Sequence, residues 1–489
     1  MNTLMQNLKE ATNFTYTENG ALAHKSTLSK VYDMFAFGAA YRQRTDEDCI
    51  NLFKNALEED EVLALKCLFW IRDCRGGAGE RRFFRVCYNW LAKTYPDIAR
   101  RNLAQIANYG RYDDLFALVD TPLEEDVFKI IKIQLAIDVE SKTPSLAAKW
   151  IPSENTSSSK TKKTARKLRK YLHMTSKEYR KMLSFLRERI NVLERLMSAN
   201  EWDKIDFSKI PSKAGLIYKN AFVRRDIIAK KYEAFAKDEN TKVNADTLYP
   251  YEIVSKVTNA CNCYGSYSLK LSETGRAMIN KYWENQKDYL NGEPCKMICV
   301  VDTSGSMYGY PINIAISLGL YCAERIGGPF KNHYISFASK PQLIETTGID
   351  FVDKVQRIYK TNLCDNTNLT AVFKLLKETS LKANPEDRLN TVVVISDMEI
   401  DRMSYWSDDE KVKTEMERIR EEWAEVGLEM PKLVYWNVYA RNNTILDLGP
   451  SVSYVSGASP SIFTQVLTGK TGRELMLETL NSDRYKNIK

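Results

Sequence analysis

The sequence predicts a multidomain protein in which an α-helical repeat region is followed by a doubly wound α/β domain. Three observations carry this reading. Apolar residues recur at helical spacing from about residue 28 to 290. From 291 onward, short continuous apolar runs alternate with helical segments, as in a parallel sheet covered on both faces. Two of those runs end at an aspartate, Met297-Ile-Cys-Val-Val301 directly at Asp302 and Thr391-Val-Val-Val-Ile395 through Ser396 at Asp397. A length of 489 residues exceeds one ordinary core, so more than one domain is expected.

In chain order, residues 1–27 read as a tail and residues 28–290 as helices joined by short polar turns. Residues 46–74 place Ile50, Phe53, Leu63, Leu65 and Leu68 at helical spacing. Further helices fit 80–94, 97–108, 123–141, 221–238 and 274–290. Thr175-x-x-Glu178 is a capping box. It predicts one long helix with Met182, Leu186, Ile190, Leu193 and Met197 on a single face. This succession reads as stacked helical hairpins, without a clean sequence period. Asn-Gly-Glu-Pro-Cys at 291–295 punctuates the chain. The domain over 291–489 then offers strands at 297–302, 333–339, 342–346, 391–397, 432–440 and 452–456. Its helices are expected at 311–326, 351–360, 369–380, 409–426 and 459–468.

Composition narrows the function classes. Hydrophobic residues make up 44% and charged residues 27%, ordinary for a globular chain. No apolar run approaches the roughly 18 residues of a membrane span. The N-terminus lacks the apolar core of a secretory signal, so a cytoplasmic location and no membrane partner are expected. The 10 cysteines lie mostly in apolar stretches and read as reduced, buried thiols. Cys261 and Cys263 are close, but no second pair completes a zinc site. The 3 histidines, His24, His173 and His333, are too scattered to suggest a Ser-His-Asp triad. The net charge of +8 is uneven: residues 291–489 hold 23 basic and 26 acidic residues, so the whole basic excess lies in 1–290. That asymmetry suggests a polyanionic partner for the N-terminal part.

The strongest motif is Asp302-Thr303-Ser304-Gly305-Ser306 at the end of a buried strand. A second strand end supplies Asp397, and Thr367, ahead of a helix, supplies another hydroxyl. Ligands of open α/β sheets bind at the carboxyl ends of strands. Two carboxylates with three hydroxyls are hard oxygen donors, suited to Mg²⁺ or Mn²⁺ and ill-suited to zinc or copper. The neutral hydroxyls leave the ion electrophilic at an open position, which a partner's carboxylate can fill. The blander alternative is a Ser/Gly turn after a strand. The Asp-Thr-Ser run differs from the Asp-Thr-Gly of aspartic proteases, and no second copy exists to form a dyad.

Residues 296–468 resemble a von Willebrand A domain with a metal-ion-dependent adhesion site (MIDAS). Asp302, Ser304 and Ser306 match the family's first motif, Thr367 its threonine and Asp397 its last aspartate. Thr370 competes with Thr367. The resemblance implies direct coordination by the hydroxyls and direct or water-mediated contact by the aspartates. Glu399 and Asp401 make the segment after Asp397 more acidic than is typical.

The helical half carries a basic segment, 158–195. Lys160, Lys162, Lys163, Arg166, Lys167, Arg169, Lys170, Arg180 and Lys181 cluster there with Ser, Thr and Tyr171. Such groups suit phosphate contacts, with binding that weakens as salt rises. The alternative is a solvated basic helix face. A second cluster, Arg72-Asp-Cys-Arg75-Gly-Gly-Ala-Gly79-Glu-Arg81-Arg82, is not a P-loop. It reads as a turn between two helices, with Arg75 or Arg82 held by Asp113 or Asp114; the alternative is a phosphate site.

RDCRGGAGERRFFR, NYGRYDDL, KWIPSEN and the PSKA and AFVRRD segments resemble an uncharacterised family of bacteria, phages and plants that joins a helical region to a C-terminal von Willebrand A domain. More distantly the layout is similar to the Ro autoantigen (TROVE module) family, in which HEAT-like helical repeats form a ring beside such a domain. That resemblance implies RNA binding. The function expected is therefore a non-catalytic, RNA-binding scaffold whose MIDAS takes an acidic protein ligand. The alternative is a protein–protein adaptor or structural component that uses the metal site without nucleic acid. A metal-dependent enzyme is a third reading.

Overall fold

The computed structural model describes residues 3–258, 271–361, 366–402 and 413–489. Cys261 and Cys263, together with the start of the helix expected over 409–426, lie outside the described residues.

All six strands expected in the C-terminal part are present: β3 (Met297–Asp302), β4 (His333–Phe337), β5 (Leu343–Glu345), β6 (Thr391–Ser396), β7 (Lys432–Asn437) and β8 (Val452–Ser456), numbered after a hairpin, β1 (Phe14–Tyr16) and β2 (Leu22–His24), described below. Their order across the sheet is β5-β4-β3-β6-β7-β8. Every neighbouring pair is parallel except β4 and β5. The chain moves from β3 outward through β4 to β5, then returns to the other side of β3 with β6. The strand order therefore reverses between β3 and β6, the place where such sheets bind ligands. β3 is buried along its whole length, as its unbroken apolar run requires. Helix Tyr310–Arg325 packs on it so closely that a side chain at Gly319 would collide with Val301.

The N-terminal region is helical, with two departures from the expected elements. The long helix from 176 stops at Arg189, and a short one, Leu193–Ser198, follows. Asn191 takes a left-handed φ of 49°, and the amides of Asn191 and Val192 close back on the carbonyls of Glu188 and Arg187. This is a helix-ending motif that outweighs the apolar periodicity. The helix expected over 221–238 is two, Ser212–Arg224 and Asp226–Lys237, broken at an extended Arg225 whose guanidinium lies over Trp202. The 459–468 segment is only a short turn of helix, and a further helix, Gly472–Leu480, follows it.

Residues expected as a tail contain helix Thr3–Ala11 and the hairpin, with Phe14 opposite His24. The His24 and Ile445 backbones exchange hydrogen bonds of 2.7 and 2.9 Å, which fastens the hairpin to the C-terminal domain.

The two parts share extensive contacts. Helix Lys30–Phe37 packs on β8, and the Tyr454 amide donates to Tyr32 Oη at 2.9 Å. Asp73, fully buried, receives Arg484 and the Tyr485 hydroxyl from the C-terminal segment. At the other end of the helical region, Pro250–Thr258 packs on Tyr310–Arg325, and Arg276 grips Asp350 with two hydrogen bonds of 2.7 Å. Arg42, from the first helices, reaches both Tyr251 and Tyr310. The first and last helices of the region therefore meet on the α/β domain. Among the described residues, no helix is long and apolar enough to cross a membrane.

Candidate metal centre and basic face

Asp302 ends β3 and Asp397 follows β6, so parallel pairing alone sets them side by side at the carboxyl edge of the sheet. The Ser304 amide donates to Asp302 Oδ1 at 2.9 Å, and the Ser396 hydroxyl donates to Oδ2 at 2.5 Å. The Ser304 and Ser306 hydroxyls are 3.0 Å apart, and these side chains pull the carboxyls of Asp302 and Asp397 respectively downward against the rise that burial imposes. These contacts link Asp302, Ser304, Ser306 and Asp397 into one connected group. Met398 adopts a left-handed φ of 67°, a conformation costly for a large side chain. It turns the chain sharply, and the Glu399 amide donates back to Asp397 Oδ1 at 3.2 Å.

Thr367 is buried beside the same loop. Its hydroxyl donates to the Glu399 carbonyl at 3.1 Å, and its amide donates to Asp401 Oδ2 at 2.8 Å. The Thr370 hydroxyl instead bonds Glu415 on helix Glu415–Glu425. Of the two threonines, Thr367 is the one that meets the loop carrying Asp397.

Burial and the neighbouring Asp397 push the Asp302 carboxyl up to about 7. Asp397 is raised mainly by burial, and Arg441 opposes the rise. Two carboxylates in one dry space repel, and a cation between them would relieve the repulsion. The donors here are all oxygens, which fits a hard divalent ion. Among the described residues no group of three or more His, Cys, Asp or Glu side chains could hold a metal, so such a site depends on its hydroxyls.

Sequence reasoning missed three contributors. Ser396 precedes Asp397 on β6 and hydrogen-bonds Asp302. Arg441, beyond β7, pairs with Asp397 Oδ2 at 3.0 Å. Glu18 pairs with Arg441 at 2.8 Å, and its amide donates to the buried Glu399 carboxylate at 2.6 Å. Arg441 follows a strand end at the same sheet edge, a signal available in the sequence. Glu18 gave none, since its partners lie hundreds of residues away.

The basic segment is partly neutralised. Lys163 and Lys167 pair with Asp120, Lys167 also with Glu124, and Arg169 with Glu154. These acids belong to a loop and helix that the local charge pattern does not reveal. Lys160, Arg166, Lys170, Arg180 and Lys181 are exposed, and Lys162 is half-buried. The same helices border a cleft of about 640 Å³ lined by Lys149, Trp150, Asn155, Arg180 and Arg187, among others. Arg111 covers one face of Trp150 at 3.9 Å.

The Gly-rich cluster is a turn between helices Glu61–Arg72 and Arg81–Thr94. Its expected ion pairs are corrected. Asp114 is held by Arg72 at 2.7 Å and Arg85 at 2.6 Å, while Asp113 is held by Arg85 and Arg111. Arg75 instead bonds the Asn108 carbonyl, and Arg82 pairs with Asp46. Arg72, on the last buried turn of its helix, points inward, whereas the turn carries Arg75 away from Asp114.

Two families match the chain. A domain of unknown function, DUF2828, matches residues 17–143 and 143–292, and another, DUF7788, matches residues 296–487. "Uncharacterized protein L728" of Acanthamoeba polyphaga mimivirus is 30% identical over 480 residues, spanning 89% of this chain and 81% of that protein. The chain therefore belongs to the DUF2828 family, with a DUF7788 region completing its C-terminal part.

Proposed function

We propose that the chain is a non-catalytic scaffold built on a von Willebrand A-type domain. In this reading Asp302, Ser304, Ser306, Thr367 and Asp397 hold Mg²⁺ or Mn²⁺, and the ion's open position takes a carboxylate of an acidic partner protein. The observation that carries it is the Asp302–Ser304–Ser306–Asp397 group, with both carboxylates buried, at the point where the strand order reverses. Titration of the full chain with Mn²⁺, read by calorimetry, tests the site. One equivalent should bind in the parent and none in Asp302→Ala or Asp397→Ala; binding that survives both substitutions refutes it.

RNA binding by a HEAT-like helical half is the second component of this reading. The exposed part of the basic segment, contiguous with a cleft lined by one indole, four cations and the two carboxylates Glu154 and Glu194, favours it. Purification of the cytoplasmic protein at low salt should then yield co-purifying RNA that is released by high salt and retained in EDTA. Nucleic-acid-free protein at low salt would leave the adaptor reading in its place.

A further inference from the structure

Arg441 is shared between two carboxylates with different roles. Its Nη2 lies 3.0 Å from Asp397 Oδ2, a proposed metal ligand, and its Nη1 lies 2.8 Å from Glu18 Oε2, which belongs to the N-terminal hairpin. Its Nε is buried with no hydrogen-bond partner among the described residues, so the guanidinium is not fully committed where it stands. The Asn442 amide bridges the same ground, 3.2 Å from Glu18 Oε1 and 3.1 Å from Glu399 Oε1. The hairpin in turn grips the loop that carries Asp397. The Thr17 hydroxyl donates to the Ile400 carbonyl at 2.6 Å, Asn19 Nδ2 to the Glu399 carbonyl at 2.8 Å, and the Arg402 amide to the Asn19 carbonyl at 3.1 Å.

Resting on the metal site proposed above, we infer that Arg441 is a resident cation that competes with the metal for Asp397. Without metal the guanidinium partly neutralises the buried carboxylate pair. A divalent ion held by these residues would supply that charge instead, and the guanidinium, already 2.8 Å from Glu18, would give up Asp397 and keep Glu18 alone. Metal occupancy and hairpin grip are then coupled, and linkage makes the coupling reciprocal: the ion tightens the hairpin, and the hairpin's Glu18 favours the ion by giving Arg441 a second seat.

The two partners of Arg441 give opposite signs. Free Mn²⁺ is followed by electron paramagnetic resonance as it is titrated into the full chain. Arg441→Gln should bind Mn²⁺ about tenfold more tightly than the parent, and Glu18→Gln several-fold more weakly, in line with typical coupling of about 5–150-fold. In the parent, Mn²⁺ should slow amide hydrogen exchange over residues 14–24, and in Arg441→Gln it should not. Arg441→Lys, which keeps a charge on a shorter reach, serves if the glutamine variant does not fold, with an affinity above the parent's. Parent-like or weaker Mn²⁺ binding in a folded Arg441 variant overturns the inference and leaves the metal site standing. No Mn²⁺ uptake by parent or variants overturns both.

Discussion

Replacing Asp302 with asparagine should stabilise the metal-free protein while abolishing its response to metal. The side chain is fully buried, accepts hydrogen bonds from the Ser304 amide and the Ser396 hydroxyl, and faces Asp397. Its folded-state value of about 7 lies above the ordinary 3.8, so the stability of its protonated form is fully present below pH 3.8 and is lost as pH rises through about 7. At pH 8 that gap corresponds to about 4 kcal/mol. Asparagine keeps the volume, still accepts from the Ser304 amide, and can donate to Ser396, which reverses its own hydroxyl. Removing the charge should therefore raise stability in EDTA at pH 8 by about 2–4 kcal/mol, with the gain shrinking toward zero near pH 4. Urea unfolding of both proteins in EDTA across this pH range measures the difference. Repeating it with excess Mn²⁺ should stabilise the parent alone. An Asp302→Asn protein that is less stable than the parent in EDTA at pH 8, or that gains equally from Mn²⁺, would show that the two carboxylates do not form a repelling, cation-seeking pair.

Other substitutions probe the frame and the basic face. Asp114→Ala leaves Arg72 buried without its carboxylate and should cost about 3–5 kcal/mol in thermal unfolding; a change below about 1 kcal/mol would contradict that role. Arg484→Ala strands the buried Asp73 and should cost about 2–4 kcal/mol, part of which Asp73→Asn should restore in the double variant; strict additivity would argue against the pairing. Exchanging Lys160, Lys162, Arg166 and Lys170 for glutamate should flatten the dependence of log affinity for single-stranded RNA on log salt by about 3, at roughly 0.7 per phosphate contact. Lys163→Glu with Lys167→Glu should change that slope less, because both lysines are already paired with Asp120 and Glu124; an equal effect would mean those ion pairs open on binding.

The parts of the fold that were legible in the sequence are those governed by neighbours along the chain. A strand covered on both faces must be a continuous apolar run, which is why 297–302 and 391–396 could be recognised and why both aspartates fell at strand ends. The strand expected over 432–440 ends at Asn437, and the one expected over 452–456 has those bounds. Helix ends were less legible, because the left-handed Asn191 stops a helix whose apolar spacing continues past it.

Side-chain partners follow a different logic. The sequence placed Asp113 and Asp114 opposite an arginine-rich turn, but it could not tell Arg72 from Arg75: the choice depends on which arginine sits on a buried helical turn, a matter of three-dimensional packing. Lys163 and Lys167 looked unopposed because their acidic partners lie more than forty residues upstream. Local sequence thus settles periodicity, strand ends and the supply of oxygen donors, since these depend on hydrogen bonding and burial within one segment. The union of Glu18 with Arg441, and of the hairpin with the loop after Asp397, comes only from the folded chain. Charges attract by distance in space, and distance in space between residues hundreds of positions apart is set only when the whole core has packed.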